Sequence, residues 1–217
     1  MKFSLKEFQL QFITHAEDRT TLLSQVKEVL DGGNKWVQLR MKPYPYEKLE
    51  SLAEEVRKLT EGYQAKLIIN DHIDIAAHVG ADGVHIGMND MSPSKAREIL
   101  GDKAIIGGTA NDYATIQRIV DHVDYIGVGP FRYTTTKKRL SPTLGLEGYR
   151  QILAELRPHS SIPIVSIGGI VLQDIPDLAA LDIQGIAASG SIINQPKQNI
   201  TETTSQWIKN ITSCFHH

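Results

Sequence analysis

Arg40 and Lys42 stand two residues apart at the end of a short apolar run, and Lys137 follows the threonines Thr134 to Thr136. Arginine offers phosphate oxygens a bidentate fork, and lysine adds a compact charge. Three such cations in one place can surround a polyanion. Asp71 and Asp90 add two carboxylates, each just after another apolar run. Carboxylates beside cations invite a hard metal ion, because Mg²⁺ takes one or two carboxylates together with substrate phosphate oxygens. A third group is glycine-rich and late in the chain: Gly168-Gly169 and Ser189-Gly190-Ser191. Glycine lets backbone N–H groups approach an anion closely. Two anion sites with a metal between them imply two phosphorylated substrates, or one substrate phosphorylated at both ends. No Ser–His–acid, Cys–His, HExxH or CxxC arrangement is visible. The chemistry indicated is departure of an anionic leaving group, assisted by metal and cations that stabilise the developing charge.

Something must bring these residues together, and the rhythm of the chain says what. Strands are expected at Gln9–Thr14, Lys35–Arg40, Lys66–Asn70, Gly83–Ile86, Ala104–Gly107, Asp124–Val128, Ile162–Ile167 and Gly185–Ala188. Helical segments are expected between them, at Asp18–Leu30, Tyr46–Glu61, Ile73–Val79, Ser92–Leu100, Asn111–Asp121, Leu146–Leu156 and Leu172–Leu181, with a last one near Ile200–Ile211. Ser92-Pro93 reads as an N-cap followed by proline at the first helical position, and Asp174 as a cap before Ile175. Gly62, Gly80 and Gly101 fall where helices should end. Alternating strands and helices argue for parallel pairing. Runs such as LII, AII and IPIV suit strands covered on both faces. Eight units in 217 residues predict an α/β chain folded as a single (β/α)8 TIM barrel, one domain over residues 1–217. The first strand lacks a GxGxxG turn, which disfavours dinucleotide binding.

In such a barrel the active site lies at the C-terminal ends of the strands. Gln38, Arg40, Lys42, Asn70, Asp71, His85, Asp90, Thr109, Thr134, Thr136, Lys137, Ser166, Gly168, Gly169, Ser189 and Gly190 all fall there. Each has a plainer reading alone. Asp71 could cap the helix at Ile73, Asp90 could be a turn residue before Pro93, and Lys137 could be a solvated loop charge. His85 could be a satisfied inward-facing histidine. Their coincidence at one end of the strands argues for the site. The longest irregular stretch, Gly129–Gly145, has a length that in compact domains usually marks a functional or mobile loop, and it is expected to close over substrates to exclude water.

The bulk numbers exclude several classes. A net charge of −2, with 41% hydrophobic and 22% charged residues, carries no nucleic-acid footprint. No run reaches the length of a membrane span, and the polar N-terminus lacks a signal-peptide core. The cytoplasm is the expected location. The lone cysteine, Cys214, cannot form an internal disulfide. The partners expected are small molecules, with neither nucleic acid nor membrane, and a homodimer is admitted as the assembly.

QLRMK (38–42), IINDHIDIA (68–76), ADGVHIGMND (81–90), YIGVGP (125–130), TTTKK (134–138), LGLEGY (144–149), PIVSIGGI (163–170) and GIAASGSI (185–192) together resemble the thiamine phosphate synthase family, in its order and spacing. The resemblance implies condensation of 4-amino-2-methyl-5-hydroxymethylpyrimidine diphosphate with 4-methyl-5-(2-hydroxyethyl)thiazole phosphate, giving thiamine phosphate and pyrophosphate. It implies that Arg40, Lys42, Asn70 and Lys137 hold the diphosphate, that Asp71 and Asp90 bind Mg²⁺, and that Gln38 contacts the pyrimidine. Thr134, Thr136, Gly168, Gly169, Ser189 and Gly190 would line the thiazole phosphate site. Diphosphate would depart first, leaving a pyrimidine methyl cation that the thiazole nitrogen attacks. The chain departs from the family at Thr109, where a serine is usual, at Met88, often glutamine, and at Phe131-Arg132-Tyr133. Thr109 keeps a hydroxyl for the leaving group. The alternatives are a thiazole tautomerase, which lacks much of the diphosphate and metal set, a non-catalytic binding protein for thiamine precursors, and an unrelated phosphate-sugar barrel enzyme.

Overall fold

The computed structural model describes residues 8–88, 90–133, 142–196 and 198–215. Eight parallel strands close into one barrel in sequence order: β1 Leu10–Ile13, β2 Trp36–Leu39, β3 Lys66–Asn70, β4 Gly83–Ile86, β5 Ile105–Ala110, β6 Tyr125–Val128, β7 Ile164–Ile167 and β8 Gly185–Ala188. β8 pairs with β1 through Gln11↔Ala187, which leaves no open sheet edge. The helices between them are α1 Arg19–Asp31, α2 Tyr46–Gly62, α3 Ile73–His78, α4 Pro93–Leu100, α5 Tyr113–Ile119, α6 Gly145–Leu156 and α7 Ile175–Ala179. A short α8, Gly190–Ile193, precedes the terminal α9, Ile200–Cys214.

Local chemistry starts the helices. Asp18, Asp112 and Asn199 each accept the N–H three residues on, at 2.9, 2.7 and 2.8 Å. Ser92 caps α4, with Pro93 at its first position. Asp174 does not cap α7, contrary to expectation. Its carboxylate instead accepts Val171 N–H at 2.8 Å and is gripped by Arg132.

The core has two layers. Phe12, Val37, Leu67, Ile69, Val84, Ile106, Ile126 and Ile186 face the helices in one large cluster. Ile13, Trp36, Ile68, Ile105, Tyr125, Val165 and Ala187 fill the barrel interior. Helix α1 shows why the outer ring holds: Leu22, Val26, Val29 and Leu30 recur at helical spacing and are buried. Each contributes roughly 1.5–3 kcal/mol of apolar burial.

The ends where the strands begin carry a device used three times. Asp82, just before β4, accepts Leu67 N–H at 3.0 Å and Arg57 Nη1 at 2.7 Å. Asp124, just before β6, accepts Ile106 N–H at 2.8 Å and Arg97 Nη2 at 2.6 Å. Gln184, just before β8, accepts Ile164 N–H at 3.0 Å and Arg157 Nη2 at 3.2 Å. In each case an acceptor before an even strand bonds the odd strand beside it and an arginine from α2, α4 or the end of α6. The repeat ties successive βαβα quarters together at the end opposite the site, where barrel residues serve stability.

Candidate active site

Arg40 follows β2 directly, and Thr14 fixes it there: Arg40 N–H donates to Thr14 Oγ1 at 2.8 Å, and the same hydroxyl donates to Arg40 O at 2.8 Å. Thr14 carries no local signal in the sequence, and its role is visible only once β1 and β2 pair. Burial pulls the Arg40 pKa below the ordinary arginine value, and Asp71 nearby opposes that. The guanidinium stays charged at neutral pH. Lys42, two residues on and half exposed, forms an ion pair with Asp71.

Asp71 has φ 66°, the left-handed region that asparagine and aspartate tolerate better than most residues. It does not cap α3, because His72 holds the N-cap position without a side-chain cap bond. That removes the plainer reading of Asp71. Its strained backbone turns the side chain toward Lys42 and Asp90. The Asp71 and Asp90 carboxyl groups lie within hydrogen-bonding reach of each other. Gly87 makes room for them: a Cβ there would sit 2.3 Å from Asp90 Oδ2 and 3.7 Å from Asp71 Oδ1.

Two carboxylates held so close cannot both ionise at their ordinary values. Burial and the Asp71 charge push Asp90 up. Burial also pushes Asp71 up, but the hydrogen bonds from Lys42 and Asp90 outweigh it and bring Asp71 down. The pair is thus a seat of concentrated negative charge, part of it offset by the Lys42 ammonium. This donor set fits a hard divalent cation with open positions for phosphate oxygens. A separate group of potential metal ligands among the described residues, Glu50, Glu54 and His78, lies on the outside of α2 and α3.

The other side of the mouth is built from β5 to β8. Thr109 lies inside β5, in register with Gly127, rather than beyond the strand's end, because β5 runs three residues further than expected. Gly168 and Gly169 follow β7 with φ 99° and 68°, positive values that favour glycine and turn the chain sharply at the strand's end. Ser189 follows β8 with its hydroxyl buried and unpartnered, a donor that a ligand oxygen would satisfy. Gly190 opens α8. Gln38 and His85 point into the barrel and are buried. Asn70 ends β3 in register with His85. Ser166 belongs elsewhere: its hydroxyl donates to Tyr149 Oη at 2.7 Å, toward α6.

The mouth therefore gathers Gln38, Arg40, Lys42, Asn70, Asp71 and Asp90 on one side and Thr109, Gly168, Gly169, Ser189 and Gly190 on the other. Thr134, Thr136 and Lys137 lie outside the described residues, as does the centre of the Gly129–Gly145 loop expected to close. The root of that loop is placed. Arg132 N–H donates to Gly168 O at 2.9 Å, and its guanidinium bonds Gly169 O at 2.6 Å and both Asp174 oxygens at 2.8 Å. The departure at Arg132 therefore ties the loop's start to the Gly168-Gly169 turn.

Comparison with known proteins follows the same lines. The family model for thiamine monophosphate synthase matches residues 10–192. A thiamine-phosphate synthase of Bacteroides thetaiotaomicron is 47% identical over 189 residues, covering 85% of this chain and 89% of that one. One from Phocaeicola vulgatus is 46% identical over 200 residues, covering 91% and 96%. A solved thiamine phosphate pyrophosphorylase from Pyrococcus furiosus superposes with a TM-score of 0.83 at 27% identity, covering 98% of this chain and 99% of that one.

Proposed function

The chain belongs to the thiamine monophosphate synthase family, and from that membership we propose how its own residues carry out thiamine-phosphate synthesis. The substrates are 4-amino-2-methyl-5-hydroxymethylpyrimidine diphosphate and 4-methyl-5-(2-hydroxyethyl)thiazole phosphate. The C–O bond between the pyrimidine methylene and the diphosphate breaks, and its electron pair leaves with pyrophosphate. The thiazole nitrogen then supplies the pair for the new C–N bond.

The observation that carries this reading is the conjunction of Arg40 and Lys42 with the Asp71–Asp90 pair at one strand-end mouth. Arg40, Lys42, Asn70 and Lys137 bind the diphosphate, and the Thr109 hydroxyl bonds its leaving oxygen. Such preorganised donors stabilise charge where it develops, which usually contributes more to catalysis than any other single effect. Asp71 and Asp90 hold Mg²⁺, which when bound neutralises diphosphate oxygens. Lys42 is paired with Asp71 before substrate arrives and turns to the diphosphate when it does. Gln38 orients the pyrimidine. Thr134 and Thr136, the Gly168-Gly169 turn, Ser189 and Gly190 seat the thiazole phosphate, which sets its ring nitrogen against the methylene. No protein nucleophile enters, so chemistry rests on charge and position.

The test is to mix the protein with both substrates and Mg²⁺ and to follow thiamine phosphate as its fluorescent thiochrome oxidation product. Metal-dependent product is expected. A folded protein that leaves both substrates intact would refute the reading.

A further inference from the structure

A row of polar side chains crosses the barrel interior behind the reacting groups. Gln38 Nε2 donates to Gln11 Oε1 at 3.0 Å, and Gln11 Nε2 donates to Tyr125 Oη at 2.9 Å. Tyr125 Oη lies 3.0 Å from His85 Nδ1, and His85 Nε2 lies 2.9 Å from Thr109 Oγ1. Gln11, Gln38, Tyr125 and His85 are 1%, 2%, 0% and 6% exposed, so water does not compete for these bonds.

The rings are seated by what their neighbours lack. A Cβ on Gly107 would stand 2.2 Å from the Tyr125 ring and 2.6 Å from His85 Nδ1, and one on Gly127 would stand 3.1 Å from His85 Cε1. Trp36 packs edge-on against Tyr125, with ring centroids 5.0 Å apart. Any side chain at position 107 would displace both rings.

A polarity runs through the row. An amide has a donor end and an acceptor end, a hydroxyl carries one proton, and a neutral imidazole has one donor and one acceptor nitrogen. Gln38 occupies the acceptor end of Gln11, so Gln11 presents N–H to Tyr125. Continued in the same sense, the row has the Tyr125 hydroxyl donating to His85 Nδ1. The ring proton then sits on Nε2 and is donated to Thr109 Oγ1. The Thr109 proton is left to point out of the row, into the mouth. Burial pushes the Tyr125 ionisation up, which keeps the phenol a donor.

We propose that Gln11, Tyr125 and His85 form a one-way hydrogen-bond relay that fixes His85 as the Nε2–H tautomer and holds the Thr109 hydroxyl as a donor toward the departing diphosphate. The proposal rests on the assignment of Thr109 to the leaving group. Gln11, Tyr125 and His85 act as positioning residues, since the effect reaches substrate through Thr109. The reverse polarity would place the ring proton on Nδ1, turn the Thr109 proton inward, and leave only lone pairs facing an anion.

The tautomer can be read directly on protein labelled with ¹⁵N-histidine, from two-bond ¹⁵N–¹H correlations, with His85 assigned by the peaks lost in His85→Gln. The Nε2–H pattern is expected, and the Nδ1–H pattern would overturn the relay. In Tyr125→Phe the pattern should lose its preference, kcat should fall about tenfold, the effect of one lost positioning bond, and both KM values should stay within about twofold. Unchanged kcat, or a change confined to KM, would count against the relay. The wild-type spectrum decides the polarity even if Tyr125→Phe does not fold. Because it is recorded without substrates, a protein that made no thiamine phosphate would fail the functional reading separately.

Discussion

Replacing Gly87 by alanine should separate the function of the carboxylate pair from the stability of the barrel. The added Cβ would lie 2.3 Å from Asp90 Oδ2, whereas ordinary contact begins at 3.4 Å, so the carboxylate must retreat by about 1.1 Å. The obstructing atom is the tip of a side chain that is more exposed than buried, so the retreat is cheap. Gly87 is not among the positive-φ glycines, so alanine brings no backbone strain. Stability should therefore change little, with Tm within about 2 °C of wild type, as for a surface substitution. Catalysis should not be spared. A displacement of about 1 Å at a reacting centre can cost about 10²-fold in rate, and here it also moves one of the two carboxylates proposed to hold Mg²⁺. Thiochrome formation followed across a Mg²⁺ titration should show kcat reduced by about 10²-fold and the Mg²⁺ requirement moved to higher concentration. Wild-type Mg²⁺ dependence and turnover in Gly87→Ala would refute the assignment of Asp90 to the metal. A large fall in Tm would refute the argument that only Asp90 has to move.

Asp71→Asn keeps a residue that tolerates φ 66° and removes the clash of like charges, so it should lower turnover by at least about 100-fold without lowering Tm. Lys137→Ala should lower turnover by a similar factor, and near-normal activity in either variant would remove the role given to that residue. Asp124→Ala cuts the bonds to Arg97 and to Ile106 N–H at the far end of the barrel; it should cost about 2 kcal/mol, a fall of roughly 4–8 °C in Tm, with both KM values unchanged. Asp174 gives a pH signature: burial raises its pKa, but Arg132 and Val171 N–H outweigh burial and leave it lowered. A carboxylate with a lowered folded-state pKa stabilises the fold above its unfolded value, near 3.9, and loses that contribution as pH falls through the folded value. The Tm gap between wild type and Asp174→Ala should therefore be full at neutral pH and shrink below about pH 4. A gap that widened on acidification would contradict the pairing.

The eight strands are legible because apolar runs buried on both faces leave a plain trace, and the top-face residues follow from knowing where the strands end. What escapes the sequence has particular causes. The sequence pattern ends β5 at Gly107 because glycine weakens a strand signal. The strand continues there because the Tyr125 and His85 rings lie against it and need the missing side chain. Helix α8 has four residues, too few to show a period. Asp174 has a capping residue's chemistry and position, yet Arg132, 42 residues away, claims its oxygens. His85 reads as an inward, satisfied histidine, which it is. That its partners are Tyr125 and Thr109, and that Gln11 continues the row 114 residues from Tyr125, depends on barrel closure and has no local signal.

The two ends of the barrel divide the labour in opposite electrostatic senses. Where the strands begin, Asp82 and Asp124 each meet an arginine and a backbone N–H. Where they end, Asp71 sits in a strained backbone, presses against Asp90, and has Lys42 as a counter-ion that the proposed reaction must take away. An arrangement that is uncomfortable without ligand is what a binding site for a polyanion and a cation requires, because the discomfort is relieved only when both arrive. Fully satisfying the Asp71–Asp90 pair with protein cations would stabilise the fold and leave nothing for the ligand to relieve. The threefold arginine device at the opposite end is what allows the chain to carry this strained mouth on a stable frame.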